Sequence, residues 1–378
     1  MKKALIVSNS SGLVTLFLKN DVELLRHNGY LIDVACNTEY PDANTDTFFN
    51  EYCNKIFNVS FPIRNLDFNL IIKSYRQLVG IVKTGEYNVI HCHSTIAAVL
   101  ARQCAKKYRK NGLKVIYTSH GFPFYKGNDG KKAKLFKIIE KHYSRYTDGI
   151  ITICQEDYNN ARQMHCKNVK LMHGVGVNID RFIDTRINRA DYRLQLGFKS
   201  SDKVVLAIGE LNTNKNHQII VKALNKLKDN NLILAICGRE VTEAGKKAEL
   251  QTLADSLHVR ILFLGFRKDI PEICHSADIG VLSSFKEGLG LSGIEMLASG
   301  IPVAGSNRQG IKDYVVDGET GYLADPNDEN SFALAIRNCL AMSNNENLSE
   351  KCISMANKFS TKQSRDVINL MYKEIGVY

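Results

Sequence analysis

Short apolar runs rich in valine and isoleucine alternate along the whole chain with longer stretches that carry apolar residues at helical spacing. Strands buried on both faces read as such runs, so the pattern predicts parallel sheets covered by helices. In the first half the predicted strands are "ALIVSN", "LIDVAC", "NVIHCH", "KVIYTSH" and "GIITIC", and in the second "VVLAIG", "LILAICG", "RILFLG", "DIGVLS" and "IPVAG". Between the halves, "HGVGVNIDRFIDTRINRADYRLQLGF" breaks the periodicity, which places a linker near residues 177–188. The expected division is a first domain over 1–180 and a second over 188–359. The final segment, about 360–378, reads as a helix that could pack back on the first domain.

A chain of 378 residues is long for one core, which agrees with two domains. No apolar run approaches the roughly 18 residues of a spanning helix, and the apolar segment of "MKKALIVSNSSG" is too short for a signal peptide. The expected location is therefore the cytoplasm, peripherally at the inner face of the cell membrane if the basic surface is used. Ten scattered cysteines lack zinc or disulfide spacing and read as buried free thiols. In "HCH" the two histidines share a strand face that Cys92 does not, and no second cluster completes a metal site.

The net charge of +11 is concentrated in the stretches Arg102 to Lys114 and Lys126 to Arg145. Solvated helix faces would account for it, and so would an anionic partner such as phosphate, acidic lipid or nucleic acid. Beside the second stretch, Leu135, Phe136, Ile138 and Ile139 could supply an apolar edge, although helical spacing favours core burial of some of them.

Two doubly wound domains bind ligands at the carboxyl ends of their strands. In "SSFKEGLGLSGIEMLASGIPVAGSN" a strand is followed by a turn containing Gly288 and Gly290, then by an apolar helix ended by Gly300. The glycines let the main chain approach a ligand, and the helix start suits a phosphate. Glu287 and Glu295 are eight residues apart, which on a continuous helix would span roughly 12 Å at about 1.5 Å per residue. Carboxylates accept strong hydrogen bonds from sugar hydroxyls. Taken alone, the two would read as a loop charge and an unremarkable helix residue.

The segment from Ser283 through "DGETGYLADPND" resembles the donor-binding region of the retaining family 4 glycosyltransferases. The resemblance rests on E-x7-E at Glu287 and Glu295, the "GIPV" strand and the "DGETGYL" turn. It extends over nearly the whole chain, is strongest after residue 200, and is nearest to bacterial enzymes of capsular and extracellular polysaccharide synthesis. It implies an α/β chain of GT-B type, two Rossmann-like doubly wound parallel-sheet domains facing across a cleft.

Residue by residue, the resemblance gives Glu295 the ribose hydroxyls of the donor and Glu287 a place beside the transferred sugar. The backbone of Gly288, Leu289, Gly290, Leu291 and Ser292 would meet sugar and phosphate. In "AIGELNTNKNHQIIVKAL", Lys215 lies near a helix start, where an ammonium can meet the leaving diphosphate. The family usually has an arginine after the glycine at 209; here Glu210 follows Gly209, which leaves the clamp to Lys215 alone or with Arg308 or another basic residue. His120 would contact the donor sugar, with a half-buried histidine satisfied by a carbonyl as its plainer reading. The backbone near Phe266 and Arg267 would hold the base edge. Gly12 would let the chain pass near phosphates or acceptor, and Arg239 could equally face solvent.

The implied activity is transfer of a hexose or N-acetylhexosamine from a nucleotide-sugar, with a uridine base as the common choice, to a lipid-diphosphate-linked saccharide. No metal and no cofactor are implied, and an anionic membrane surface is the expected further partner. The rivals are a nucleotide-sugar 2-epimerase of the same architecture and a basic nucleic-acid-binding protein. The second lacks a recognisable motif and leaves the two glutamates unexplained.

Overall fold

A computed structural model of the chain describes residues 1–63, 66–128, 130–342 and 345–378. Two compact units result: Met1–Gly176 together with Thr361–Tyr378, and Val177–Ser360. The first contains seven strands: β1 (Lys2–Ser10), β2 (Tyr30–Asn37), β3 (Lys55–Asn58), β4 (Val89–His93), β5 (Lys114–Ser119), β6 (Gly149–Thr152) and β7 (Asn168–Leu171). The second contains six: β8 (Lys203–Ile208), β9 (Leu232–Cys237), β10 (Arg260–Gly265), β11 (Ile279–Leu282), β12 (Val303–Ser306) and β13 (Gly321–Ala324).

Both sheets are parallel, ordered β3-β2-β1-β4-β5-β6-β7 and β10-β9-β8-β11-β12-β13. The order reverses at β1, between β2 and β4, and at β8, between β9 and β11. Such switch points leave a crevice at the strands' carboxyl ends, because the connecting helices depart to opposite faces. The residues after β8 and β11 therefore lie at the second unit's natural ligand position.

Ala4, Leu5, Ile6 and Val7 of β1 are all fully buried, as a strand covered on both faces requires. In the second unit the helix His217–Leu227 turns Ile220, Val221, Ala223 and Leu224 onto the sheet. The terminal helix, Thr361–Glu374, belongs to the first unit. Met371 packs over Gly149, where an added Cβ would come within 2.4 Å of its sulfur, and the Tyr30 hydroxyl donates to the Val377 carbonyl at 2.5 Å.

Three strands depart from the sequence expectation. β3, β7 and β13 were not anticipated, and the "DGETGYL" turn runs directly into β13. Each of the three is four residues long and stands at a sheet edge, where a full apolar run is not demanded. The stretch 177–188 is also not a free linker. It belongs to the second unit and contains the short helix Asp180–Ile183, anchored by buried Phe182.

Candidate functional site

The second unit gathers its site from the loops after β8 and β11. After β8, Asn212 caps a short 3-10 turn, Thr213–Lys215, by accepting the Lys215 amide at 3.0 Å. Asn216 then takes a left-handed conformation and the next helix begins at His217. Lys215 is locked from both ends: its carbonyl accepts from Ser283 Oγ at 2.7 Å, and its Nζ donates to Glu287 Oε2 at 2.7 Å. Gly209 makes room for this lysine, since an added Cβ would lie 3.1 Å from Lys215 Cε.

After β11, Glu287 also accepts from Ser284 Oγ at 3.0 Å. Gly290 is left-handed (φ 79°), and an added Cβ would press on Glu287 Cγ at 2.9 Å and on the Tyr314 hydroxyl at 3.0 Å. Tyr314 donates to the Gly290 carbonyl at 2.9 Å, fixing the turn from which the helix Leu291–Ala298 starts. Leu289 and Gly290 are buried and Gly288 is half-buried, while Leu291 and Ser292 open the helix. Between the two glutamates the chain makes the glycine turn and then the helix that the sequence pattern implies, so the roughly 12 Å of a continuous helical span does not apply to them. Only Glu295 is helical, because the glycine-containing turn forces Glu287 into the preceding loop.

Glu295 is half-buried, and its carboxylate makes no side-chain hydrogen bond among the described residues. Burial raises its pKa above the ordinary carboxylate value, with Arg181 opposing the shift. Arg181 lies on Asp180–Ile183, in the stretch read from sequence as linker, and its guanidinium also donates to the Lys268 carbonyl at 2.7 Å. Sequence reasoning missed it because nothing in a polar, aperiodic segment signals which unit it joins.

Other expected residues fall around the same strand ends. Phe266, just after β10, is 64% exposed, and Arg239, after β9, lies over its ring at 4.9 Å. Arg267 is committed to Asp269, whose carboxylate it holds down at about 2, and Tyr192 donates to that carboxylate at 2.5 Å. Its backbone remains the part available to a base. A depression of about 400 Å³ lined by Gly238, Arg239, Lys247 and Phe263 opens beside them. Glu210, the departure from the family pattern, accepts from both the amide and the hydroxyl of Thr242. Arg308 bonds Asn307 at 2.5 Å and Asp325 at 3.4 Å.

In the first unit, His120 follows β5 and its Nε2 lies 3.1 Å from His93 Nδ1. Burial lowers its pKa to about 4, so the ring is neutral near pH 7. A satisfying carbonyl, the plainer expectation, is replaced by a second imidazole. Gly12 lies just past β1 as the second residue of a short helix, Ser11–Phe17. Its amide donates to the Tyr40 carbonyl at 3.1 Å, where an added Cβ would also come within 3.1 Å, so a contact inside its own unit accounts for this glycine.

Asp21, His91 and His93 bring potential metal-ligand atoms within 4.8 Å of one another, all buried. Asp21 Oδ1 stands 3.2 Å from His91 Nδ1 without hydrogen-bond geometry. Both ring nitrogens of His91 already have hydroxyl partners at 2.8 Å, Tyr372 and Thr118, so a cation would have to displace one of them. All ten cysteines are free and all but Cys53 are buried.

The basic stretches are not uniform. Arg102 is fully buried, paired with Glu140 at 2.7 Å and stacked 4.3 Å over Tyr117, and so leaves the basic surface. The second stretch spans Asp129, which lies outside the described residues. Its helix, Lys131–Tyr143, turns Ala133, Phe136 and Glu140 inward. Outward it presents Lys131, Lys132, Lys134, Lys137 and Lys141 together with Leu135 (56% exposed) and Ile138 (67%). No helix among the described residues is long and apolar enough to cross a membrane.

Two parallel sheets of this order, each with candidate residues at strand carboxyl ends, are the architecture of the GT-B fold. A UDP-glucose complex of Anabaena Alr3699/HepE superposes with a TM-score of 0.78 at 19% identity, covering 99% of this chain and 100% of that one. The model of the Glycosyltransferase Family 4 matches residues 18–175, and that of Glycosyl transferases group 1 matches 188–359. The putative glycosyltransferase EpsD of Bacillus subtilis is 38% identical over 73% of this chain and 74% of its own length. An Escherichia coli UDP-Gal:alpha-D-GlcNAc-diphosphoundecaprenol alpha-1,3-galactosyltransferase is 29% identical over 84% and 81%. The chain belongs to the family 4 glycosyltransferases, and it is a transferase enzyme.

Proposed function

We propose that this enzyme transfers a hexose or N-acetylhexosamine, with retention, from a UDP-sugar to a lipid-diphosphate-linked saccharide during cell-surface polysaccharide synthesis. The observation that carries the donor half is Glu295: a half-buried carboxylate that makes no side-chain hydrogen bond among the described residues, with the charge of Arg181 acting on it, on the helix that the glycine turn at Gly290 opens. Burying such a group without a hydrogen-bond partner is costly, and ribose hydroxyls would supply the missing donors. The uridine base draws support from the UDP-glucose complex of the Anabaena neighbour and from the galactosyltransferase relative's printed donor. That relative's acceptor, a sugar on a diphospho-lipid, supports the acceptor class, and its α-linked product supports retention.

The acceptor hydroxyl attacks on the face from which UDP departs, and a diphosphate oxygen takes its proton as the bond to the sugar breaks. Lys215 supplies positive charge to the departing diphosphate, Glu287 holds that lysine and stands beside the sugar, and His120 offers a ring N–H to a sugar oxygen. The start of the helix Leu291–Ala298 adds its dipole. These groups account for leaving-group stabilisation without requiring a metal. The lysine-rich face with Leu135 and Ile138 at its centre is read as the surface that meets anionic lipid at the cytoplasmic face of the membrane.

A thermal-shift panel of nucleotide-sugars tests the donor assignment, because a ligand that binds the folded state raises its melting temperature by mass action. UDP-sugars should shift the transition and the guanosine and adenosine series should not. Equal shifts for all bases would remove uridine from the proposal. Incubation with the donor alone separates transfer from epimerisation, since an epimerase would change the sugar with no acceptor present.

A further inference from the structure

We propose that His93 is a positioning residue that fixes His120 with its proton on Nδ1, leaving that nitrogen an N–H donor. The inference rests on the reading of His120 as a donor to the transferred sugar, and it assigns a role to a residue that reading does not use. His91 and His93 alternate on β4 and share one face, with ring centroids 4.3 Å apart. They are satisfied differently. His91 has a hydroxyl on each nitrogen, whereas His93 has His120 Nε2 at 3.1 Å on Nδ1 and no partner on its buried Nε2.

Two imidazoles that share a hydrogen bond need one N–H and one bare nitrogen between them. Burial lowers the pKa of both rings, so each is neutral near pH 7 and carries one proton. A His93 proton on Nε2 would be a buried donor without an acceptor, the rarer kind of unpaired group. A proton on Nδ1 leaves only a lone pair unpaired. His93 therefore donates, His120 Nε2 accepts, and the single proton of His120 is placed on Nδ1, for which the described residues offer no acceptor. Neutral imidazole in water favours the other tautomer, so the hydrogen bond from His93 sets this one. The loop after His120 is held independently, with the Phe122 amide donating to Asp157 Oδ2 at 2.8 Å.

Ring-nitrogen shifts of His120 in the full chain, recorded by 15N NMR and assigned by their loss in His120→Gln, test the proposal directly. The expected pattern is a protonated-type Nδ1 and a bare-type Nε2. His93→Asn places an amide N–H where Nδ1 stood and should keep both this pattern and UDP release from UDP-galactose or UDP-N-acetylglucosamine to within about threefold. His93→Gln moves the amide to the Nε2 position; it should lose the pattern and lower kcat about tenfold, with the donor KM little changed. A protonated Nε2 in the unmodified protein, or an unaltered pattern in His93→Gln, overturns the inference. Full activity in His120→Gln would instead remove His120 from the sugar while leaving the tautomer result standing, so the two failures are distinguishable.

Discussion

Lys215 Nζ lies 2.7 Å from Glu287 Oε2, joining the loop after β8 to the loop after β11 across the second unit's switch point. Neither residue is fully buried, so the pair contributes little to stability by itself, and its value is geometric. On the proposed reading, it aims an ammonium at the departing diphosphate. Lys215→Ala should lower kcat about 100-fold and weaken UDP binding less, because the charge it meets grows as the bond breaks. A fully active variant would remove Lys215 from the site.

Glu287→Gln should leave the fold intact and reduce turnover, since the amide keeps the shape but releases the lysine and the charge beside the sugar. The double variant with Lys215→Ala should lose no more than the worse single one, as expected of groups that act together. Additive losses measured in the same transfer assay would mean that the two act separately.

Glu295→Ala should weaken UDP binding in calorimetry by about 1.5–3 kcal/mol, the cost of losing a charged acceptor for buried hydroxyls. Equal affinity would refute the ribose assignment. The same carboxylate should also cost the unliganded protein stability. Its folded-state pKa is raised by burial, so the native state binds the proton more tightly than the unfolded chain. That contribution is fully present below the unfolded value and is lost as pH rises through the folded one. Glu295→Gln should therefore melt higher than the unmodified protein near neutral pH, with the difference shrinking as the pH falls towards 4.5, the ordinary value for a glutamate. A gap that is constant with pH would contradict this.

How much of this was legible in the sequence depended on where each residue sits in its sheet. The nine interior strands announced themselves as apolar runs because both faces are covered, and the half-buried edge strand β10 did so through six mostly apolar residues, RILFLG. β3, β7 and β13 did not, since an edge strand of four residues needs no such run. Glu287, Glu295 and Lys215 were visible as motif positions, but their relations were not. The link from Lys215 to Glu287 spans residues far apart in sequence, and periodicity carries no information about such a pair. Arg181 was hidden in a segment read as linker, and the "HCH" histidines were weighed for metal when one of them in fact faces His120. The commitment of Glu210 to Thr242 likewise depends on a loop conformation that no local pattern encodes.

That commitment shapes a further expectation. Because Glu210 is turned to the Thr242 amide and hydroxyl, Glu210→Gln should change UDP affinity much less than Glu295→Ala does. Glu210→Arg, which restores the residue usual in the family, should strengthen UDP binding. Weaker binding in Glu210→Arg would show that the loop to Thr242 matters more to this site than an added charge.

For the lysine-rich helix, flotation with anionic vesicles should recover the protein, and added salt should release it, since each lysine near the surface contributes about 1 kcal/mol through a screened field. Leu135→Ser with Ile138→Ser should reduce recovery without affecting UDP binding. Recovery indifferent to lipid charge and to salt would leave the helix an ordinary solvated face.

The most direct measurement combines the purified enzyme with UDP-galactose or UDP-N-acetylglucosamine and a synthetic lipid-diphosphate-linked N-acetylglucosamine, reading UDP release alongside product mass and anomeric configuration. The account predicts UDP release that depends on the lipid-linked sugar, a product heavier by one sugar residue, and an α-linkage. UDP release at the same rate without acceptor, a β-linked product, or conversion of the donor to an isomer with no transfer would contradict it.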